Sequence, residues 1–162
     1  MPEYRLVSID IDSGKVIPAH YPPVCFTYLF PFFSSQRGWW AADSQRAYFV
    51  DLKRGAQQVQ VVEFNTLTGK TRVLFEETSS TWINLQPWNF HFPALIMPLP
   101  ATQELIWYSE RSGWAHFYLY DLETGELKQT LTQGDWVVSE LLHFDAKRRE
   151  LWLQTGGRNK AH

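Results

Sequence analysis

The sequence predicts an all-β protein, and three observations carry that expectation. Aromatic residues make up 16% of the 162 residues, with 8 Trp, 7 Tyr and 11 Phe. Large flat side chains beside β-branched neighbours suit a pleated sheet better than a helix. One turn signature occurs three times, as Asp10-Ile11-Asp12-Ser13-Gly14, Asn65-Thr66-Leu67-Thr68-Gly69 and Asp121-Leu122-Glu123-Thr124-Gly125, and its glycines lie 55 and 56 residues apart. Finally, no stretch keeps a 3.6-residue apolar period over three helical turns.

The elements follow in order from those turns. Asp or Asn at the head bonds backbone two residues on, and the closing Gly supplies the positive φ of a tight hairpin. Apolar or alternating segments lead into the turns at 4–9, 59–64 and 117–120, and others leave them at 15–17, 71–75 and 127–131, giving three hairpins. A second unit sets a polar turn before an aromatic strand. Asp43-Ser44-Gln45-Arg46 precedes 47–50, Ala101-Thr102-Gln103-Glu104 precedes 105–108, and Lys147-Arg148-Arg149-Glu150 precedes 151–153. A further short strand is expected ahead of each, near 38–42, 92–97 and 137–144. The chain therefore divides into a half blade at 1–20, blades at 38–78 and 90–133, and a half blade at 136–157. Four short antiparallel strands in a period of roughly 40–55 residues are the pattern of a β-propeller blade. About three blades are too few to close a ring. The expectation is a partial, open propeller that belongs to a larger one or joins a second copy as a homo-oligomer.

Composition excludes several classes. With 15 Lys and Arg against 17 Asp and Glu, the net charge of −2 gives no reason to expect nucleic acid or an anionic membrane as partner. The single Cys25 excludes an internal disulfide, and no Cys/His spacing suggests a metal or cofactor. Apolar runs are too short to span a bilayer as helix, and the first residues lack an apolar signal core, so a cytoplasmic location is expected. The segment 21–33 is apolar but carries three prolines, which excludes a central strand and leaves a buried crossover, the favoured reading, or an exposed docking patch.

The run Trp107-Tyr108-Ser109-Glu110-Arg111-Ser112-Gly113-Trp114-Ala115-His116-Phe117-Tyr118-Leu119-Tyr120-Asp121 resembles the propeller of prolyl-oligopeptidase-type serine peptidases, in the dipeptidyl-peptidase IV branch. Leu131-Thr132-Gln133-Gly134-Asp135-Trp136-Val137-Val138 is similar to that family's link into the next blade. Trp39-Trp40-Ala41-Ala42-Asp43-Ser44, Arg54-Gly55, Glu76-Glu77 and Gly156-Gly157-Arg158 add to the likeness. The resemblance implies a parent with a propeller over an α/β-hydrolase domain, in which the propeller restricts access and anchors peptide substrate. Two departures matter. No glycine here opens the G-x-S-x-G elbow that such a nucleophile needs, so no catalytic residue is expected and the chain alone should be inactive. The branch's substrate-gripping glutamate pair precedes a Trp-Trp strand, yet Phe32-Phe33-Ser34-Ser35-Gln36-Arg37 holds no acid.

Among candidate site residues, Glu110 and Arg111 sit at a hairpin tip, with Lys53 and Arg54 at the equivalent tip one blade earlier. Charged tips usually just keep a turn in water; in a full enzyme these are candidates for contact with peptide or with the hydrolase domain. Glu76-Glu77 suits an ammonium group, since paired carboxylates favour a cation. Its place after a fourth strand suggests instead a solvated loop or a local ion pair. Trp40, Asp43, Gly69, Trp114, His116, Gly125, Asp135 and Trp136 form the structural signature. Trp107, Trp114, Trp136 and Trp152 are expected in core and interblade packing, His116 as a hydrogen-bonded packing residue on a blade's inner strand, and Lys128 as an ordinary surface residue. A stand-alone module whose blade faces bind a protein partner is the alternative reading.

Overall fold

The computed structural model describes residues 3–24, 38–85 and 96–157. Its strands form four antiparallel sheets in chain order. The first pairs β1 (Val7–Ile9) with β2 (Val16–Pro18). The second runs β3 (Gly38–Trp40), β4 (Arg46–Leu52), β5 (Gln58–Asn65) and β6 (Thr71–Thr78), each beside the next. The third repeats that order with β7 (Ile96–Leu99), β8 (Glu104–Ser109), β9 (His116–Asp121) and β10 (Leu127–Thr130). The last pairs β11 (Val137–Asp145) with β12 (Glu150–Gly156). No α-helix occurs among the described residues; one 3-10 turn, Pro100–Thr102, precedes β8.

The recurring Gly turns close as their chemistry dictates. In each, the glycine N–H donates to the carbonyl of the leading Asp or Asn: Gly14 to Asp10, Gly69 to Asn65, Gly125 to Asp121. The leading side chain accepts from the Ser or Thr amide three residues on, at 2.7, 2.9 and 3.0 Å. All three glycines have φ between +69° and +81°.

Period-2 alternation sorts the strand residues into two packing layers. On β8, Leu105 and Trp107 face β4 and β5, where they meet Tyr48, Val50, Val59 and Val61. Ile106 and Tyr108, on the other face, meet Val138, Leu141, Leu151 and Leu153 of the last sheet. Phe49 and Phe64 turn the opposite way, onto Val24 and Leu6 at the first sheet. The two central sheets are thus covered on both sides, which is why β8 is buried along its whole length. Trp107 has no exposed surface and Phe75 stacks on Tyr120 at 3.8 Å. These sheets, packed face to face in an open array, are blades of a β-propeller.

Two expectations are corrected here. The first strand of the third sheet runs on to Leu99 rather than ending at 97, because Pro98 and Leu99 continue the pairing with Leu105 and Glu104; residues 92–95 of the expected strand lie outside the described residues. Of the four tryptophans expected in packing, Trp107 is fully enclosed and Trp136 packs partly buried, whereas Trp152 and Trp114 are 61% and 39% exposed. Trp152 lies on the two-stranded last sheet, and Trp40 of the structural signature, 55% exposed, lies on the edge strand β3. Cys25, most of the segment 21–33 and Arg158 lie outside the described residues.

Candidate functional site

The antiparallel order gives the blades two unlike ends. One carries the Gly turns at 10–14, 65–69 and 121–125. The other carries the hairpin tips at 53–57 and 110–115 and the link 79–85. At this tip end the link is fastened to the preceding tip: Ser79 N–H donates to the Gln57 carbonyl at 2.9 Å and Ile83 N–H to the Ala56 carbonyl at 2.6 Å. Ala56 is fully buried with φ +52°, which lets its carbonyl reach the link.

Glu77 organises the site. It lies on β6 itself rather than in a loop after it, and its side chain is only 9% exposed, so the expectation of a solvated loop is corrected. Its carboxylate accepts from Trp107 Nε1 at 2.9 Å, Ser109 Oγ at 2.5 Å and Arg111 Nη2 at 2.7 Å, all from the next blade. Burial of a carboxylate is tolerated only with such a full set of donors. Arg111 also donates through Nε to Ser109 Oγ at 2.9 Å and through Nη1 to the Tyr120 hydroxyl at 2.6 Å. Its guanidinium lies 4.4 Å from the Tyr118 ring centre. Burial opposes the charge on Arg111, but Tyr120 and Glu77 outweigh it and hold the group more firmly protonated than usual.

Glu110 is placed differently. Burial and the nearby Glu77 charge push its carboxyl up, against a contact with the Tyr108 hydroxyl. Glu77, Glu110 and Arg111 line one cavity of about 450 Å³ together with Trp82, Asn84 and the hydroxyl residues 78–81. Three of the five substrate-contact candidates are therefore brought together. Arg54 and Glu76 are not among them: Arg54 is exposed on the earlier tip, and Glu76 accepts from Gln60 Nε2 at 2.5 Å.

His116 is 1% exposed on β9, a central strand of its sheet. Both ring nitrogens are engaged, by Thr132 Oγ1 and the Gly134 carbonyl, each at 3.0 Å. Trp136 packs edge-on against the ring. The residue fastens the link toward β11 and has no ring nitrogen left for proton transfer. Asp43 closes its turn by accepting from the Gln45 and Arg46 amides at 2.9 and 3.1 Å, while Asp135 is exposed. Among the described residues no three His, Cys, Asp or Glu side chains group as metal ligands.

Two clusters were not read from the sequence. Tyr21, Asp51, Lys53 and Gln60 join the first link to the second blade, with Tyr21 Oη 3.0 Å from Asp51 and 2.6 Å from Gln60 Oε1. Glu104, buried on β8, accepts from Lys128 at 2.6 Å and from Arg149 of the following sheet at 2.8 Å. Burial alone would raise the Glu104 carboxyl; Lys128, Thr102 and Arg149 overcome it and hold it near 2 instead of 4.5. Lys128 is thus no ordinary surface residue, because β10 turns it onto a buried carboxylate. The visible signals were only a polar turn and a basic run, and neither shows which side chains meet.

Taken with its blade order, the stack defines a segment of a propeller domain. The family model of the dipeptidyl peptidase IV (DPP IV) N-terminal region matches residues 35–159, and the chain belongs to that family. It is 34% identical over 98 residues to a probable dipeptidyl peptidase 4 of Aspergillus flavus, a match spanning 59% of this chain and 12% of the relative. The dipeptidyl peptidase 4 of Trichophyton rubrum is 41% identical over 45 residues, 28% of this chain and 6% of the relative. The crystal structure of Porphyromonas gingivalis dipeptidyl peptidase 4 superposes with a TM-score of 0.70 at 16% identity, covering 93% of this chain and 20% of that one. This last likeness concerns the fold.

Proposed function

We propose that this chain is a non-catalytic propeller segment of a DPP IV-like serine peptidase, whose tip end contacts peptide substrate and a hydrolase domain that supplies the chemistry. The observation that carries this reading is the cavity where Glu77, Glu110 and Arg111 converge, at the end opposite the short Gly turns. Family membership over residues 35–159 supports the peptidase context. Within it, a guanidinium locked by Glu77, Ser109 and Tyr120 gives the tip a fixed shape and charge. Binding groups held in place before contact lose less entropy on contact.

The test compares residues 1–162 with the full gene product on a proline-containing aminoacyl-nitroanilide. The full product is expected to turn over and to be blocked by an active-site serine reagent, and residues 1–162 alone to be inert. Reagent-sensitive turnover by residues 1–162, or a full product without serine-hydrolase activity, overturns the proposal.

A further inference from the structure

The first and last sheets are complementary halves of one blade. Among the described residues β1 pairs only with β2 and β12 only with β11, so each keeps one open edge. Set against the complete blades, β1 and β2 hold the places of the third and fourth strands, as β5 and β6 do. β11 and β12 hold those of the first and second, as β3 and β4 do. Open strand edges are templates for pairing with another chain.

The turns show what each half is shaped to receive. In the complete blades the Gly turn is tied to the turn before the second strand: Thr66 N–H donates to the Gln45 carbonyl at 2.9 Å, and Leu122 N–H to the Gln103 carbonyl at 2.8 Å. Thr66 and Leu122 are 5% and 1% exposed, whereas Ile11, at the same place in the first Gly turn, is 93% exposed. Val7 and Ile9 are likewise exposed where their counterparts Val62 and Phe64 are buried. On the other half, Trp152 matches Tyr48 and Ile106, which the following blade buries, and is itself open. The turn ahead of Trp152 carries Lys147, Arg148 and Arg149, and the first Gly turn carries Asp10 and Asp12. Beside β1 runs a groove of about 240 Å³ lined by Leu6, Val7, Trp39, Ala47, Phe49 and Phe64. Trp39 Nε1 is buried with no acceptor among the described residues.

We propose that β12 of a second copy of this chain pairs with β1, and that the reciprocal junction closes a two-fold dimer of six blades. The register of the complete blade, Phe64 opposite Ala47 and Val62 opposite Phe49, sets Ile9 opposite Leu151 and Val7 opposite Leu153. Strand alternation then turns Trp152 and Gln154 of the second copy toward the groove, an indole to fill it and an amide carbonyl for Trp39 Nε1. Ile11 N–H reaches the Arg149 carbonyl, and Asp12 meets Lys147 across the two turns. Six blades lie within the roughly four to eight that close a propeller, and three do not. A pair in which residue i meets j and j meets i is the commonest closed assembly of identical chains. The proposal concerns residues 1–162 as a chain and draws nothing from the functional reading above.

Sedimentation equilibrium of residues 1–162 over a wide concentration range tests the assembly. The expected species is a dimer of twice the 19.0 kDa chain that grows no further, because no edge is left open. Ile9→Lys and Trp152→Lys each put a charge on a side chain that is exposed in the single chain, so both should keep its circular dichroism. Each should raise the dimer dissociation constant about tenfold or more. The reciprocal junction makes a sharper demand. A mixed dimer of the two variants has one junction with both strands unaltered, so mixing them should restore association, whereas pairing of β1 with β1 would not. The wild-type measurement needs no variant, so it decides even if either variant folds poorly. A wild-type chain that stays monomeric, growth beyond the dimer, folded variants that dimerise as tightly as wild type, or a mixture no tighter than either variant overturns the proposal. Peptidase activity is not read here, so this failure is separate from failure of the functional proposal.

Discussion

Replacing Gly125 by Ala should cost far more than replacing Gly14 by Ala, although both close the same kind of turn. Both have positive φ, +69° at Gly14 and +81° at Gly125, so alanine is strained by about 1–2 kcal/mol at either. The difference lies in what the new methyl meets. At Gly14 nothing lies within 4 Å, whereas at Gly125 a Cβ would stand 2.1 Å from the Leu74 carbonyl oxygen and 2.8 Å from its carbon. Leu74 is on β6, the last strand of the preceding blade, so the obstacle is backbone and cannot rotate away. Relief requires the 121–125 turn to move off β6, which loosens the layer where Phe75 packs on Tyr120 and Trp107. Overpacking of this kind adds roughly 1–3 kcal/mol. The expected totals are about 1–2 kcal/mol for Gly14→Ala and about 2–5 kcal/mol for Gly125→Ala. For a chain of this size each kcal/mol moves Tm by roughly 2–4 °C. Calorimetry or urea melts of both variants, with Gly113→Ala as a further strain-only control, measure the gap. Equal losses at Gly14 and Gly125 would refute the interblade contact and leave only turn strain.

Two more outcomes follow from the buried charges. Glu104 titrates near 2 in the folded chain against an ordinary 4.5, so its contribution is complete above about pH 4.5 and is lost as pH falls toward 2. Denaturant melts between pH 6 and 3 should show a stability slope that Glu104→Gln reduces, and Lys128→Gln should cost about 1–2 kcal/mol at pH 7; a Lys128→Gln chain as stable as wild type would sink the pair. Arg111→Ala leaves Glu77 buried without its cation and should cost about 3 kcal/mol or more. Arg111→Lys should recover little of that, since an ammonium cannot bond Ser109, Tyr120 and Glu77 in one plane; full rescue by lysine in thermal melts would count against the fork geometry.

Features whose physics is local were legible in the sequence, and features that need two blades were not. Asp10, Asn65 and Asp121 each hold a turn through atoms within three residues, so residue type and spacing were enough to place three hairpins. The strands could be placed because both faces of the central sheets are buried, which leaves nearly continuous apolar runs at β4 and β8. Glu77 shows the limit. Its partners Trp107, Ser109 and Arg111 are 30, 32 and 34 residues away, so nothing near it in the chain distinguishes it from its neighbour Glu76, which accepts from Gln60 of its own blade. Lys128 fails for the same reason: surface or partner is decided by Glu104, 24 residues back, and by the turn that sets β10 beside β9. The glycines join the two cases. Gly14, Gly69 and Gly125 carry one local signal, yet only the last two press on a preceding strand, at Pro18 and Leu74. A repeated sequence motif therefore specifies the turn at every occurrence, while the same glycine acquires its second role, as a seat for the neighbouring blade, only where a neighbour stands beside it.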